Sequence, residues 1–147
     1  MKKLSKIATF LIALISPVIS LACKEAILGE VYPITHINEY EYIVIAKIDK
    51  SVHADEYRYN PLVSFEATVV ESIKGNLNEG TSFSGTPKHE QPRAVCPVHL
   101  TEGGTYLLLL SKENGRYVIS RFSFPVKNDS KYFSNYIGQI KSAISNK

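Results

Sequence analysis

The chain has 147 residues, of which 44% are hydrophobic and 21% are charged, and its formal net charge is +3. Three of the 17 basic residues lie within the first six positions, so the remaining 14 equal the 14 acidic residues in number. A balanced charge argues against a nucleic acid or an anionic membrane as the partner. The length suits one domain with its own buried core.

The first 22 residues are typical of an export signal. Three lysines precede the apolar run 7–15, and Ser20 and Ala22 place small residues where a signal peptidase cleaves. The run is shorter than the roughly 20 residues of a permanent membrane span. We therefore expect a mature domain of residues 23–147 without a transmembrane helix, in the periplasm or outside the cell. The short lysine-rich signal is typical of a bacterial envelope protein.

The first half of the mature region shows β-strand patterns. Residues 40–48 are rich in β-branched and aromatic residues, and residues 62–73 alternate apolar with polar side chains. Residues 81–84 form a shorter candidate strand, which the glycine, threonine and proline at 85–87 are expected to end.

The second half predicts two more strands and a helix. Residues 105–110 are a continuous apolar strand that follows two glycines, and Asn114-Gly115 is a hairpin turn that joins it antiparallel to residues 116–124. Asp129 or Ser130 can then cap a helix. Its apolar residues recur at helical spacing and are Tyr132, Phe133, Tyr136, Ile137, Ile140 and Ile144.

Five strands and a terminal helix predict a mainly β fold, a small Greek-key barrel with a C-terminal helix. A closed or nearly closed barrel removes the exposed edges of an open five-stranded sheet. An immunoglobulin-like sandwich is the alternative, but it requires about seven strands and a buried Trp. This chain contains no Trp.

The chain has two cysteines, Cys23 and Cys96, and two interpretations of Cys23 stay open. In an exported protein the pair would form a disulfide that closes a long loop, which stabilises a fold by roughly 4 kcal/mol. Residues 19–23 also satisfy a permissive lipobox. A lipid on the sulfur of Cys23 would prevent the disulfide and anchor the protein to the outer membrane.

The sequence offers little that is typical of a catalytic centre. No zinc-protease, nucleophile-elbow or phosphate-loop motif is present, and the cysteines lack metal-ligand spacing. The four histidines, His36, His53, His89 and His99, lie in different segments and are interpreted as separate surface residues. We expect a protein that is not an enzyme, with no cofactor and no bound metal.

A series of short motifs resembles a known family. They follow one another as Cys23, residues 43–47, the strand from Phe65 to Gly75, residues 86–87, residues 94–96, residues 106–108 and residues 122–125. In this order they resemble the inhibitory domain of the tissue inhibitors of metalloproteinases and, more broadly, netrin-like modules. The resemblance spans roughly residues 23–130 and implies an OB-like five-stranded barrel.

The resemblance also implies a site at the mature N-terminus. Cys96 would hold Cys23 through a disulfide, so that the α-amino group and carbonyl oxygen of Cys23 chelate the zinc of a metalloprotease. Lys24 would enter the specificity pocket of that protease. By the same resemblance, further protease contacts come from Thr86, Pro87, Val95, Pro97 and Val98.

Two hypotheses about function follow. The first is a secreted, monomeric inhibitor of a zinc metalloprotease. The second is a netrin-like module that binds another protein or a glycan without inhibiting a protease, and that is anchored through Cys23. A lipidated Cys23 would favour the second, since acylation removes the amine. The chain also departs from the family pattern, because Glu25 stands where the inhibitors have their second cysteine.

Overall fold

The fold was examined in a computed structural model, which describes residues 36–55, 62–88, 98–119 and 125–146. Within these residues, a short 3-10 helix precedes six strands, and one α-helix follows them. The elements are the 3-10 helix Ile37–Glu39, β1 Tyr42–His53, β2 Leu62–Lys74, β3 Ser82–Pro87, β4 Thr105–Glu113, β5 Arg116–Ile119, β6 Val126–Lys127 and α1 Phe133–Ser145.

Strands β1 to β5 close into a barrel. β1 pairs antiparallel with both β2 and β4, while β3 pairs antiparallel with β2 and parallel with β5. β5 returns antiparallel to β4, so the order around the ring is β1-β2-β3-β5-β4 and back to β1. This is an OB-like arrangement, and it confirms the predicted Greek-key barrel with a C-terminal helix. The two-sheet sandwich is therefore excluded.

The barrel interior is filled by one alternate set of side chains from each strand. On β4, Leu108 and Leu110 point inward and are fully buried, while Leu107 and Leu109 lie on the outer face. The interior side chains of β1, β2 and β4 are Val44, Ala46, Ile48, Leu62, Phe65, Ala67, Val69, Tyr106, Leu108 and Leu110. Burying each large aliphatic side chain contributes about 1.5–3 kcal/mol.

The outer face of β1 and β4 is covered by α1. Tyr136 and Ile140 of α1 pack against Ile43, Leu107 and Leu109 in a second apolar core. Both faces of β4 are consequently buried, which explains why residues 105–110 are apolar without alternation.

The start of α1 differs from the prediction. The helix begins at Phe133 with Tyr132 as its N-cap, and no side chain caps it. The hydroxyl of Ser130 instead accepts a hydrogen bond from the amide of Tyr132 at 3.3 Å, in a turn just before the helix. The predicted cap at Asp129 or Ser130 was therefore wrong, because this turn comes between those residues and the first helical turn.

The β4–β5 hairpin is as predicted. Asn114 and Gly115 both have positive φ, 50° and 80°, which a two-residue hairpin turn of the primed type requires. Glu113 and Arg116 face each other on either side of the turn.

Three predicted strands ended at least three residues too early, among them β4, which continues past Leu110 to Glu113. β1 continues to His53 because its second half pairs with β2 through several register irregularities. β3 includes Gly85, Thr86 and Pro87, which the sequence was expected to place after the strand. Proline is tolerated at this last position, where β3 pairs with the end of β5. For β5 the structure describes residues up to Ile119, so the predicted stretch 120–124 lies outside it.

Within the part of the chain that the structure describes, no helix has both the length and the apolarity needed to cross a membrane.

Candidate interaction site at the upper end of the barrel

The strand directions bring two connections to one end of the barrel. β1 and β3 run the same way because each is antiparallel to β2, and β4 runs opposite to β1. The β1–β2 connection and the β3–β4 connection therefore leave the same end, which we call the upper end. The described residues of these two connections, together with the last residue of β1, are 53–55, 88 and 98–104.

The last residues before β4 lie along the second half of β1. The amide of Gly103 donates to the carbonyl of Ile48 at 2.7 Å, and the amide of Ile48 donates to the carbonyl of Gly104 at 2.8 Å. Further along, the amide of Ser51 donates to the Glu102 carboxylate at 3.0 Å. These bonds continue the β1–β4 pairing to the residues just before β4 begins. They hold the connection against the barrel.

Both glycines of this segment have a structural reason. Gly103 has φ of 76°, which side chains rarely adopt. A Cβ on Gly104 would lie 2.7 Å from the Tyr106 ring. That ring has to stay in place, because its hydroxyl accepts a hydrogen bond from the amide of Thr101 at 3.1 Å.

A pair of histidines joins the two connections. The rings of His53 and His99 stack, with centroids 5.5 Å apart and planes inclined by 17°. The Nε2 of His53 lies 3.1 Å from the Leu100 carbonyl oxygen. A carbonyl oxygen only accepts, so this nitrogen carries the hydrogen and donates it.

The surroundings of His99 favour its neutral form. Its neighbours Val98 and Leu100 are each only 2% exposed, whereas the His99 side chain points outward at the end of the barrel. Desolvation of the imidazole, and then the nearby His53, lower the pKa of His99 below the ordinary value of 6.5. The neutral form of His99 therefore predominates at neutral pH.

Interpreting the histidines as unrelated surface residues was wrong for this pair. The residue before and the residue after His99 are apolar, a pattern that indicates an outward side chain. Nothing local indicates that His53, 46 positions earlier, lies beside it. Only the pairing of β1 with the segment before β4 brings the two together.

The structure describes three of the residues expected to contact a protease. Thr86 is half-buried and pairs with Val118, and Pro87 is buried and pairs with Ile119. Val98 is 2% exposed and belongs to the barrel core. A partner at this end would therefore touch the side chain of Thr86, while Pro87 and Val98 support the surface from beneath.

The other predicted site residues lie outside the described residues. These are Cys23, Lys24, Val95, Cys96 and Pro97. The structure describes the chain on both sides of the segment 89–97, at Lys88 and Val98. The disulfide and the zinc-chelating terminus stay predictions.

The outer face of β2 and β3 is rich in hydroxyl groups. The Thr68 hydroxyl donates to the Asp49 carboxylate at 2.7 Å and lies 3.2 Å from the Ser82 hydroxyl. Glu66 faces Ser84 in the next pair of this surface. OB folds commonly bind oligonucleotides or oligosaccharides on this face. Here Lys50 of β1 is paired with Glu66 and Lys47 with Thr68, so this surface carries charges of both signs.

Among the described residues, no group of three or more His, Cys, Asp and Glu side chains is arranged to hold a metal ion. The sequence matches no protein-family model and no curated protein.

Proposed function

We propose that this chain is an exported inhibitor of a zinc metalloprotease, of the kind that the tissue inhibitors of metalloproteinases represent. The observation that supports it is the OB-like barrel, the fold that the resemblance implies, with its β3–β4 connection at the upper end. That connection contains Cys96 and the adjacent predicted contact residues. A terminus tethered to Cys96 would be held against the barrel.

The inhibitory chemistry needs a free N-terminal amine. An α-amino group has a pKa near 8, so a substantial fraction has an available lone pair near neutral pH. Together with the carbonyl oxygen of Cys23, it can replace the water on the catalytic zinc of the protease. A disulfide to Cys96 orders the terminus in advance, which reduces the entropy lost on binding. Lys24 then follows the chelating residue into the substrate-binding cleft.

The alternative is a netrin-like binding module anchored in the cell envelope. The observations that favour it are Glu25 at the position of the second cysteine and the lipobox at residues 19–23. A lipid on Cys23 would prevent the disulfide, and acylation of the α-amine would remove the zinc ligand. The partner would then be a protein or a glycan bound on the barrel surface.

Intact mass of the mature protein, with and without reductant, separates the two functions. A disulfide makes the oxidised protein lighter by the mass of two hydrogen atoms, whereas a lipid adds the mass of its acyl chains. A lipid adduct on Cys23 would exclude chelation.

If the amine is free, one Ala added before Cys23 should abolish inhibition of a responsive zinc protease, because the amine moves away from the metal. The matched control is Gln139→Ala on the exposed surface of α1, which should leave inhibition unchanged. Full inhibition by the extended protein would show that the terminus does not bind zinc.

A further inference from the structure

The contact between His53 and His99 joins two segments that are far apart in sequence. His53 is the last residue of β1, and His99 lies in the β3–β4 connection. The stacked rings and the hydrogen bond from His53 to the Leu100 carbonyl bridge the two connections at the upper end.

We propose that the His53–His99 pair is a pH-sensitive contact, which holds the two upper connections together at neutral pH and releases His99 from His53 in mild acid. The proposal does not depend on which partner the protein binds. It concerns the end of the barrel from which the β3–β4 connection, with Cys96, departs.

The physical reason is repulsion between protonated rings. Two imidazolium ions with centroids 5.5 Å apart repel each other, whereas two neutral rings stack favourably. The Nε2 of His53 donates its hydrogen in either charge state, so its bond to the Leu100 carbonyl survives protonation. The His99 ring is therefore the part that moves.

The charged groups nearby do not reverse this effect. Among the described residues, the titratable side chains closest in sequence to the pair are Lys50 and Asp55 on the β1 side and Glu102 on the connection. Glu102 accepts a hydrogen bond from the Ser51 amide. From β2, the residue opposite His53 is the apolar Leu62. A carboxylate close to His99 would raise the pKa of His99. The pKa of His99 is instead lowered, by desolvation and by His53.

The lowered pKa of His99 determines how the stability of the contact changes with pH. The unfolded chain binds a proton at His99 more readily than the folded chain does. The contribution of the pair to stability is therefore complete well above pH 6.5. It decreases as the pH falls through 6.5 towards the lower pKa of the folded state. Val98 and Leu100 stay buried in the barrel core, so the average backbone position is kept and the change stays local. The segment nevertheless opens more often, because the lost contact no longer opposes local opening.

Amide hydrogen exchange on the full mature protein tests the proposal, at about pH 7.5 and about pH 5.5, with rates corrected for intrinsic exchange. We expect protection of residues 51–53 and 98–100 to fall several-fold in acid, while that of Leu108 in the barrel core stays constant. In His99→Gln the acid-dependent loss should disappear. In His53→Gln it should be smaller than in the wild type, because desolvation of His99 remains. The control His36→Gln, which removes a histidine paired with Glu39 elsewhere, should behave as wild type.

A second measurement tests the pair without relying on exchange. An NMR titration should show a higher pKa for His99 in His53→Gln than in the wild type. An unchanged pKa, or equal acid-dependent exchange in the wild type and the two Gln variants, would overturn the proposal. If neither variant folds, constant protection of the wild-type upper end between the two pH values would overturn it as well.

Discussion

Gly85 has no side chain, and this leaves room for an aromatic ring in the barrel core. It faces Phe65 across the β2–β3 pairing, and a Cβ at this position would lie 2.4 Å from the Phe65 ring and 3.0 Å from the Tyr117 carbonyl oxygen. Phe65 is 2% exposed and contacts Phe83 edge to face, and Phe83 contacts Tyr117 in the same way. A glycine at this position is therefore needed for the three aromatic rings to pack together.

Gly85→Ala should lower the free energy of unfolding by about 1–3 kcal/mol, the usual cost of an overpacked core. Chemical denaturation of the two proteins gives the difference. Gly138→Ala is the matched control. Its new methyl group meets nothing within 4 Å, and it should stabilise α1 by about 0.5–1 kcal/mol. Equal effects at both sites would contradict this account of Gly85.

Among the elements, α1 decides how the outer face of the barrel is covered. It lies over the outward side chains of β1 and β4, and its Ile140 is fully buried there. The 3-10 helix takes part in the same core through Ile37. Lys74 at the end of β2 holds that segment, because its ammonium group donates to the carbonyl oxygens of Ile37 and Tyr40 at 3.1 and 2.5 Å.

Ile140→Ala should destabilise the fold by about 2–4 kcal/mol, since it would leave a cavity between α1 and the barrel. Ile144, one turn later, is only partly buried in the same core. Ile144→Ala should consequently cost less than half as much. Thermal and chemical unfolding followed by circular dichroism measure both changes. A larger loss at Ile144 would show that α1 packs by a different face.

At the scale of the whole molecule, closure of the barrel joins distant parts of the chain. β1 pairs with β2 on one side and with β4 on the other, and the parallel β3–β5 contact completes the ring. The proposed Cys23–Cys96 disulfide would add a covalent connection from the N-terminal segment to the upper end.

If that disulfide forms, reductant should destabilise the wild-type protein by roughly 4 kcal/mol at most, because the unfolded chain regains the entropy of a long loop. Cys96→Ser should show the lower stability from the start and no further response to reductant. Urea unfolding with and without reductant makes the comparison. A wild type that is insensitive to reductant would indicate that Cys23 is not bridged.

Part of the fold was predictable from local sequence, whereas the contact at the candidate site was not. Asn114-Gly115 and the apolar periodicity of α1 are local signals, because turn conformation and helical spacing depend on neighbouring residues. The helix start was mispredicted, since Ser130 stabilises a turn where a cap was expected. The stacked histidines were missed, because their contact depends on strand pairing across 46 positions.

The sequence by itself determined the class of fold. Five apolar or alternating runs and one amphipathic segment, each ended by turn residues, have few ways to bury their apolar faces other than a closed barrel with a helix on it. Only the tertiary structure decided which side chains meet at the upper end and that Val98 belongs to the core. The physical reason is that periodicity specifies which face of a strand is buried, whereas the register between distant strands depends on packing of the whole barrel.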